Sequence, residues 1–142
     1  MQIGLVRLAA ATAVAGLLAI SSASAQNVSL RATLNGAQEV PAVTTAGNGT
    51  ATFTFNPATR ALEYEITYTG LSGPATGAHI HGPAAAGANA GVMVPFASPA
   101  SPIRGTANLN EQQATELLAG RTYVNIHTAA NGGGEIRGQI TR

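Results

Sequence analysis

Residues 50–68 read TATFTFNPATRALEYEITY, and the alternation in this stretch decides the fold class. Ala51, Phe53 and Phe55 alternate with Thr50, Thr52 and Thr54. Leu62, Tyr64, Ile66 and Tyr68 then alternate with Glu63, Glu65 and Thr67. Successive side chains of a strand point to opposite faces, so each run is a strand with one apolar and one polar face. Pro57-Ala58-Thr59-Arg60 between them suits a four-residue hairpin loop. That loop sets Phe55 opposite Leu62 and Phe53 opposite Tyr64, and the apolar faces match in this register.

The same pattern extends in both directions. Val28, Leu30, Ala32 and Leu34 alternate with polar neighbours. Further strands are expected over 77–82, 92–96, 103–109, 122–128 and 135–141, separated by Gly-, Pro- and Asn-rich connections. One short helix interrupts them: Asn110 is placed to cap it, Gln113 to complete a capping box, and Gly120 to end it. About seven or eight short strands with regular turns and one short helix predict an all-β, Greek-key sandwich or barrel. No internal repeat is visible, and the low-complexity stretch from Ala84 to Gly91 is expected to be a surface loop.

The N-terminal segment has a different character. Met1 and Arg7 carry positive charge, Leu8 to Ile20 is apolar and small, and Ala23-Ser24-Ala25 is a small-x-small cleavage pattern. This predicts a signal peptide over residues 1–25, cleavage before Gln26, and a secreted or periplasmic mature domain over 26–142. The apolar run is shorter than the roughly 20 residues needed to span a bilayer, so no membrane span is expected in the mature chain. The chain contains no cysteine, so buried apolar area must stabilise it without disulfides. Arg31, Arg60, Arg104, Arg121, Arg137 and Arg142 balance Glu39, Glu63, Glu65, Glu111, Glu116 and Glu135, and Lys, Asp and Trp are absent. With no basic stripe, nucleic acid is not an expected partner.

The chemistry-bearing residues are few. His79 and His81 flank Ile80, so on a strand both imidazoles share one face, and a His-x-His pair offers two nitrogen ligands to one ion. His127 lies in Tyr123-Val124-Asn125-Ile126-His127, where Val124 and Ile126 mark the core face and turn His127 away from it. If the terminal hairpin pairs Ile126 with Ile136 and Asn125 with Arg137, His127 faces Glu135. That carboxylate would ligate a metal or orient an imidazole. Without cysteine, and with Met93 the only methionine after Gln26, the donor set excludes blue-copper, thiolate-zinc and methionine-rich sites. Three imidazoles with an oxygen suit Cu(II) or Zn(II), and Cu(II) heads the divalent affinity order. With no Asp to orient a base and no Gly-x-Ser-x-Gly elbow, hydrolase chemistry has no support. Gly132–Gly134 follow a strand but open no helix, which excludes a phosphate loop.

Gly36-Ala37-Gln38-Glu39-Val40-Pro41, Ala78-His79-Ile80-His81-Gly82-Pro83-Ala84, Tyr123-Val124-Asn125-Ile126-His127-Thr128 and Gly134-Glu135-Ile136-Arg137-Gly138-Gln139 together resemble the CHRD domain. That domain is named for chordin, a secreted antagonist of growth factors, and also occurs as a lone exported bacterial module. The resemblance implies an immunoglobulin-like sandwich. The His-x-His strand also looks like the copper-binding strand of copper/zinc superoxide dismutases, which use more histidines and a zinc-binding Asp. Fold kinship does not transfer a function. The leading expectation is therefore an exported domain that binds a divalent metal through His79, His81, His127 and Glu135. Copper is the expected ion and zinc the alternative, with a role in metal handling or protection. A non-enzymatic protein-interaction or adhesion module with structural histidines is the alternative, and a copper-only, dismutase-like redox enzyme a weaker one. Glu39 is read either as a further ligand or as a carboxylate bonded to its own turn.

Overall fold

The structure, a computed structural model, describes residues 25–142; the expected leader therefore lies, but for Ala25, outside the described residues. Eight strands form one antiparallel sheet: β1 (Val28–Asn35), β2 (Asn48–Phe55), β3 (Ala61–Thr69), β4 (Ala75–His81), β5 (Val92–Pro95), β6 (Ile103–Asn108), β7 (Tyr123–Thr128) and β8 (Ile136–Gln139). The order across the sheet is β5-β4-β7-β8-β1-β2-β3-β6, and the sheet curls on itself into a nearly closed barrel or sandwich. A 3₁₀ turn, Gly36–Gln38, follows β1.

The β2–β3 hairpin has the expected register, with Phe55 opposite Leu62 and Phe53 opposite Tyr64. Its inward residues join a core with Leu30, Ala32 and Leu34 of β1, Ala78 and Ile80 of β4, Val124 and Ile126 of β7, and Ile136 of β8. Burying each large aliphatic or aromatic side chain of that set contributes about 1.5–3 kcal/mol, which is how a cysteine-free domain holds together. The outward faces of β3 and β6 are solvated, and Arg104 forms a bidentate pair there with Glu65 at 3.0 Å.

The short helix, α1, spans Glu111–Leu118. The Asn110 side chain accepts from the Gln113 amide at 2.8 Å, and the Gln113 side chain accepts from the Asn110 amide at 2.9 Å. These reciprocal bonds satisfy N-terminal groups that have no partner within the helix. Gly120, at φ 71°, ends the helix in a conformation that costs glycine little. Leu117 seals the core from this side.

β7 matters most for the site. Val124 and Ile126 enter the core, yet Tyr123 and Asn125 on the opposite face are also buried, at 3% and 2% exposure. Two segments cover that second face. Glu39, in the segment after the 3₁₀ turn, lies over Asn125, and the 82–91 connection lies over Tyr123 and Arg137.

Candidate metal centre

The three histidines meet on the covered outer face of β4 and β7. Ile80 is buried in the core between His79 and His81, so both imidazoles emerge on the other side, as their spacing requires. Antiparallel pairing sets His79 opposite Asn125, His81 opposite Tyr123 and Gly77 opposite His127. His127 is thus the diagonal neighbour of His79, a distance that large rings can bridge. Gly77 makes the approach possible. A Cβ there would sit 3.3 Å from Cε1 of His79 and 3.8 Å from Cδ2 of His127, so the two rings lean over the space that glycine leaves.

One ring nitrogen from each histidine lies within 4.8 Å of the others. His79 Nδ1 and His127 Nε2 are 3.0 Å apart, and the ring centroids are separated by 4.9 Å for His79–His127, 5.5 Å for His79–His81 and 5.9 Å for His81–His127. Backbone carbonyls fix the proton positions on two of the rings. His81 Nδ1 lies 3.0 Å from the Ala90 carbonyl, and His127 Nδ1 lies 3.0 Å from the Gly132 carbonyl. A carbonyl can only accept, so both Nδ1 atoms donate, and in the neutral rings both Nε2 atoms present lone pairs. His79 Nδ1 then donates to Nε2 of His127. His81 Nε2 is buried with no hydrogen-bond partner among the described residues.

The residues fit a metal ion. An imidazole whose Nδ1–H is held by a carbonyl, with Nε2 free and aimed at other imidazoles, has the arrangement of a ligating histidine and its outer support. Ligation also requires neutral rings. Burial, reinforced by the neighbouring His127, lowers the His79 pKa from its ordinary value. Burial is also the main cause of the lowered His81 pKa, acting against the Ala90 hydrogen bond and assisted by the other histidines and Arg137. At metal–nitrogen distances of about 2.0–2.1 Å, no two ligands of one ion stand more than about 4.2 Å apart. The present spread of up to 4.8 Å therefore needs only small side-chain rotations to close.

Glu135 does not belong to this group, which corrects its expected place beside His127. The hairpin pairs Ile126 with Ile136 and Asn125 with Arg137 as expected. However, the Glu135 amide also donates to the Ile126 carbonyl, at 2.7 Å. The ladder ends at the Ile126–Ile136 rung, and Glu135, in the bend before β8, does not continue it opposite His127. Gly134, at φ 125°, begins the irregularity. Glu135 points instead to the Thr128 side. Oε1 accepts from the Thr45 hydroxyl at 2.6 Å and the Ser72 amide at 2.8 Å, while Oε2 accepts from the hydroxyls of Ser72 and Thr128, both at 2.6 Å. Burial pushes its carboxyl pKa up, but these bonds together hold it down at about 2.

Glu39 is not in the three-histidine group either. It accepts from the Asn125 side-chain amide rather than from its own turn, and burial, opposed by Arg137 and by that hydrogen bond, raises its pKa to about 7. Several residues that shape the site escape a sequence reading. Gly77 gives room, Ala90 and Gly132 act through main-chain carbonyls, and Tyr123 stacks on His81 at 5.0 Å with planes 5° apart. Arg137 lies over the Tyr123 ring, 3.5 Å from its centroid. Only the aromatic and basic residues in the two terminal strands carried any signal of this.

No helix among the described residues is long and apolar enough to cross a membrane. No curated protein and no solved structure matches the chain significantly. The CHRD domain model matches residues 30–140, a span that takes in all three histidines and most of the sheet, and the chain belongs to the CHRD family.

Proposed function

We propose that this CHRD protein binds one divalent transition-metal ion through His79, His81 and His127, with copper as the expected ion and zinc as the alternative. The observation that carries the reading is His81 Nε2, a buried acceptor without a partner among the described residues, facing two other imidazoles. A buried polar atom left unsatisfied costs roughly 1–3 kcal/mol, and a bound cation removes that cost. Copper at such a site supplies one-electron redox chemistry, and zinc supplies Lewis acidity.

The chain's own residues do the rest. Ala90 and Gly132 hold protons on the Nδ1 atoms of His81 and His127, and burial favours the neutral rings of His79 and His81. The proton that His79 donates to His127 must leave or move to Nε2 of His79 before both facing nitrogens can ligate. The leader-like segment before Gln26 supports a role in metal handling or protection in the periplasm or outside the cell.

An interaction or adhesion module would draw on an exposed apolar patch. Among the described residues Val92 is the one large apolar side chain that is strongly exposed, at 55%. The metal reading is therefore preferred. Thermal unfolding of the metal-free protein with added Cu(II) or Zn(II) tests it. A rise in Tm with metal that disappears in His81→Ala supports it, and an unchanged Tm at saturating metal with both ions contradicts it.

A further inference from the structure

The segment from Pro83 to Gly91 contains alanine, glycine, one proline and a single polar side chain, Asn89. It has little means of anchoring itself, yet it supplies the carbonyl that orients His81. Side chains of the sheet beneath hold it down. The Tyr123 hydroxyl accepts from the Ala90 amide at 3.0 Å and donates to the Ala90 carbonyl at 3.2 Å. Arg137, 1% exposed, donates to the Ala88 carbonyl at 2.7 Å and to Oδ1 of Asn89 at 3.0 Å. Asn89 in turn donates to the Val40 carbonyl at 2.8 Å, tying the two covering segments together.

We infer that Tyr123 and Arg137 are positioning residues for His81. By clamping residues 88–90 they fix the Ala90 carbonyl, which keeps the proton of His81 on Nδ1 and its Nε2 lone pair turned towards His79 and His127. Tyr123 acts twice, because its ring also stacks on the His81 imidazole and limits rotation of that ring. Arg137 acts at one further remove, through the segment and by lying over the Tyr123 ring. His127 has its own support in the Gly132 carbonyl and does not depend on the clamp. This deepens the metal-binding reading and rests on it for its purpose, although the orientation of His81 is measurable without metal.

The test has two arms. Long-range proton–nitrogen NMR correlation on the metal-free protein at about pH 8, above the ordinary imidazole pKa, reads the tautomer of each histidine. In Tyr123→Phe, which keeps the ring, His81 should change from a fixed Nδ1–H form to an averaged pair of tautomers, while His127 stays fixed. Arg137→Gln should do the same; if loss of this buried side chain prevents folding, Tyr123→Phe decides alone. In the second arm, Zn(II) affinity should fall about tenfold in Tyr123→Phe, at the lower end of the range for loss of groups that support a ligand.

A His81 tautomer unchanged in the variants overturns the inference. So does a changed tautomer with undiminished zinc affinity. Wild-type protein that binds no zinc or copper, but whose His81 tautomer responds as described, removes the metal reading and leaves the clamp standing.

Discussion

Ser72 and Glu135 are joined twice, the Ser72 amide donating to Oε1 at 2.8 Å and the Ser72 hydroxyl to Oε2 at 2.6 Å. With Thr45 and Thr128 completing the set, one fully buried carboxylate ties the loop before β2, the loop after β3 and the end of β7. Glu135→Ala would leave the Thr45, Ser72 and Thr128 donors, of which Thr128 is buried, without this acceptor and should cost roughly 2–4 kcal/mol in urea unfolding at neutral pH. A loss below about 0.5 kcal/mol, the level of an ordinary surface change, would show the network to be dispensable. The pH dependence has a definite sign. The folded pKa of about 2 lies below the ordinary carboxyl value, so the stabilisation is fully present above that ordinary value and is lost as pH falls through about 2. The stability gap between wild type and Glu135→Gln should therefore narrow on acidification.

Glu39 behaves in the opposite sense. Its folded pKa of about 7 lies above the ordinary value, so its favourable contribution is complete below that ordinary value and is lost as pH rises through about 7. Glu39→Gln keeps a neutral group that can accept from Asn125. Relative to wild type the variant should gain roughly 1–2 kcal/mol between acidic and mildly alkaline pH, after allowance for solvent screening. Paired urea titrations across that range cancel the histidine contributions common to both proteins. A difference independent of pH would contradict the assignment.

Gly77 should matter for the site more than for the fold. A valine there favours the strand but places branched carbons where the His79 and His127 rings converge. Gly77→Val is expected to remain folded, with an unchanged far-ultraviolet circular dichroism spectrum, and to lose at least tenfold in Zn(II) affinity by competition with a chelating dye. Unchanged affinity would mean that the rings do not need this space.

The legible parts of the molecule are those in which side-chain alternation carries the information. Thr50–Tyr68 revealed its own register because each strand has one apolar face. His79, His81 and His127 were assigned to one kind of face because Ile80, Val124 and Ile126 mark the other. The Asn110 and Gln113 capping pair was readable for the same reason: its chemistry lies in side chains at fixed spacing. The expected His127–Glu135 rung fails because the ladder stops at Ile126–Ile136, a backbone event that leaves Glu135 in a bend. Gly134 just before it was the available hint. The support of His81 and His127 was hidden more deeply, since Ala90 and Gly132 contribute main-chain carbonyls, which every residue carries. The Ala-rich stretch from Ala84 to Gly91 read as a surface loop; its role comes from Tyr123 and Arg137 beneath it.

In the proposed site, three imidazoles separated by up to 48 positions in the chain serve one ion. Isothermal titration of the metal-free domain from Gln26 onward with Cu(II) and Zn(II) tests it most directly, alongside His79→Ala, His81→Ala and His127→Ala. One ion per chain is expected in the wild type, with a loss of at least tenfold in affinity in each of the three variants. Absence of binding by the wild type, or binding that survives all three substitutions, would contradict it.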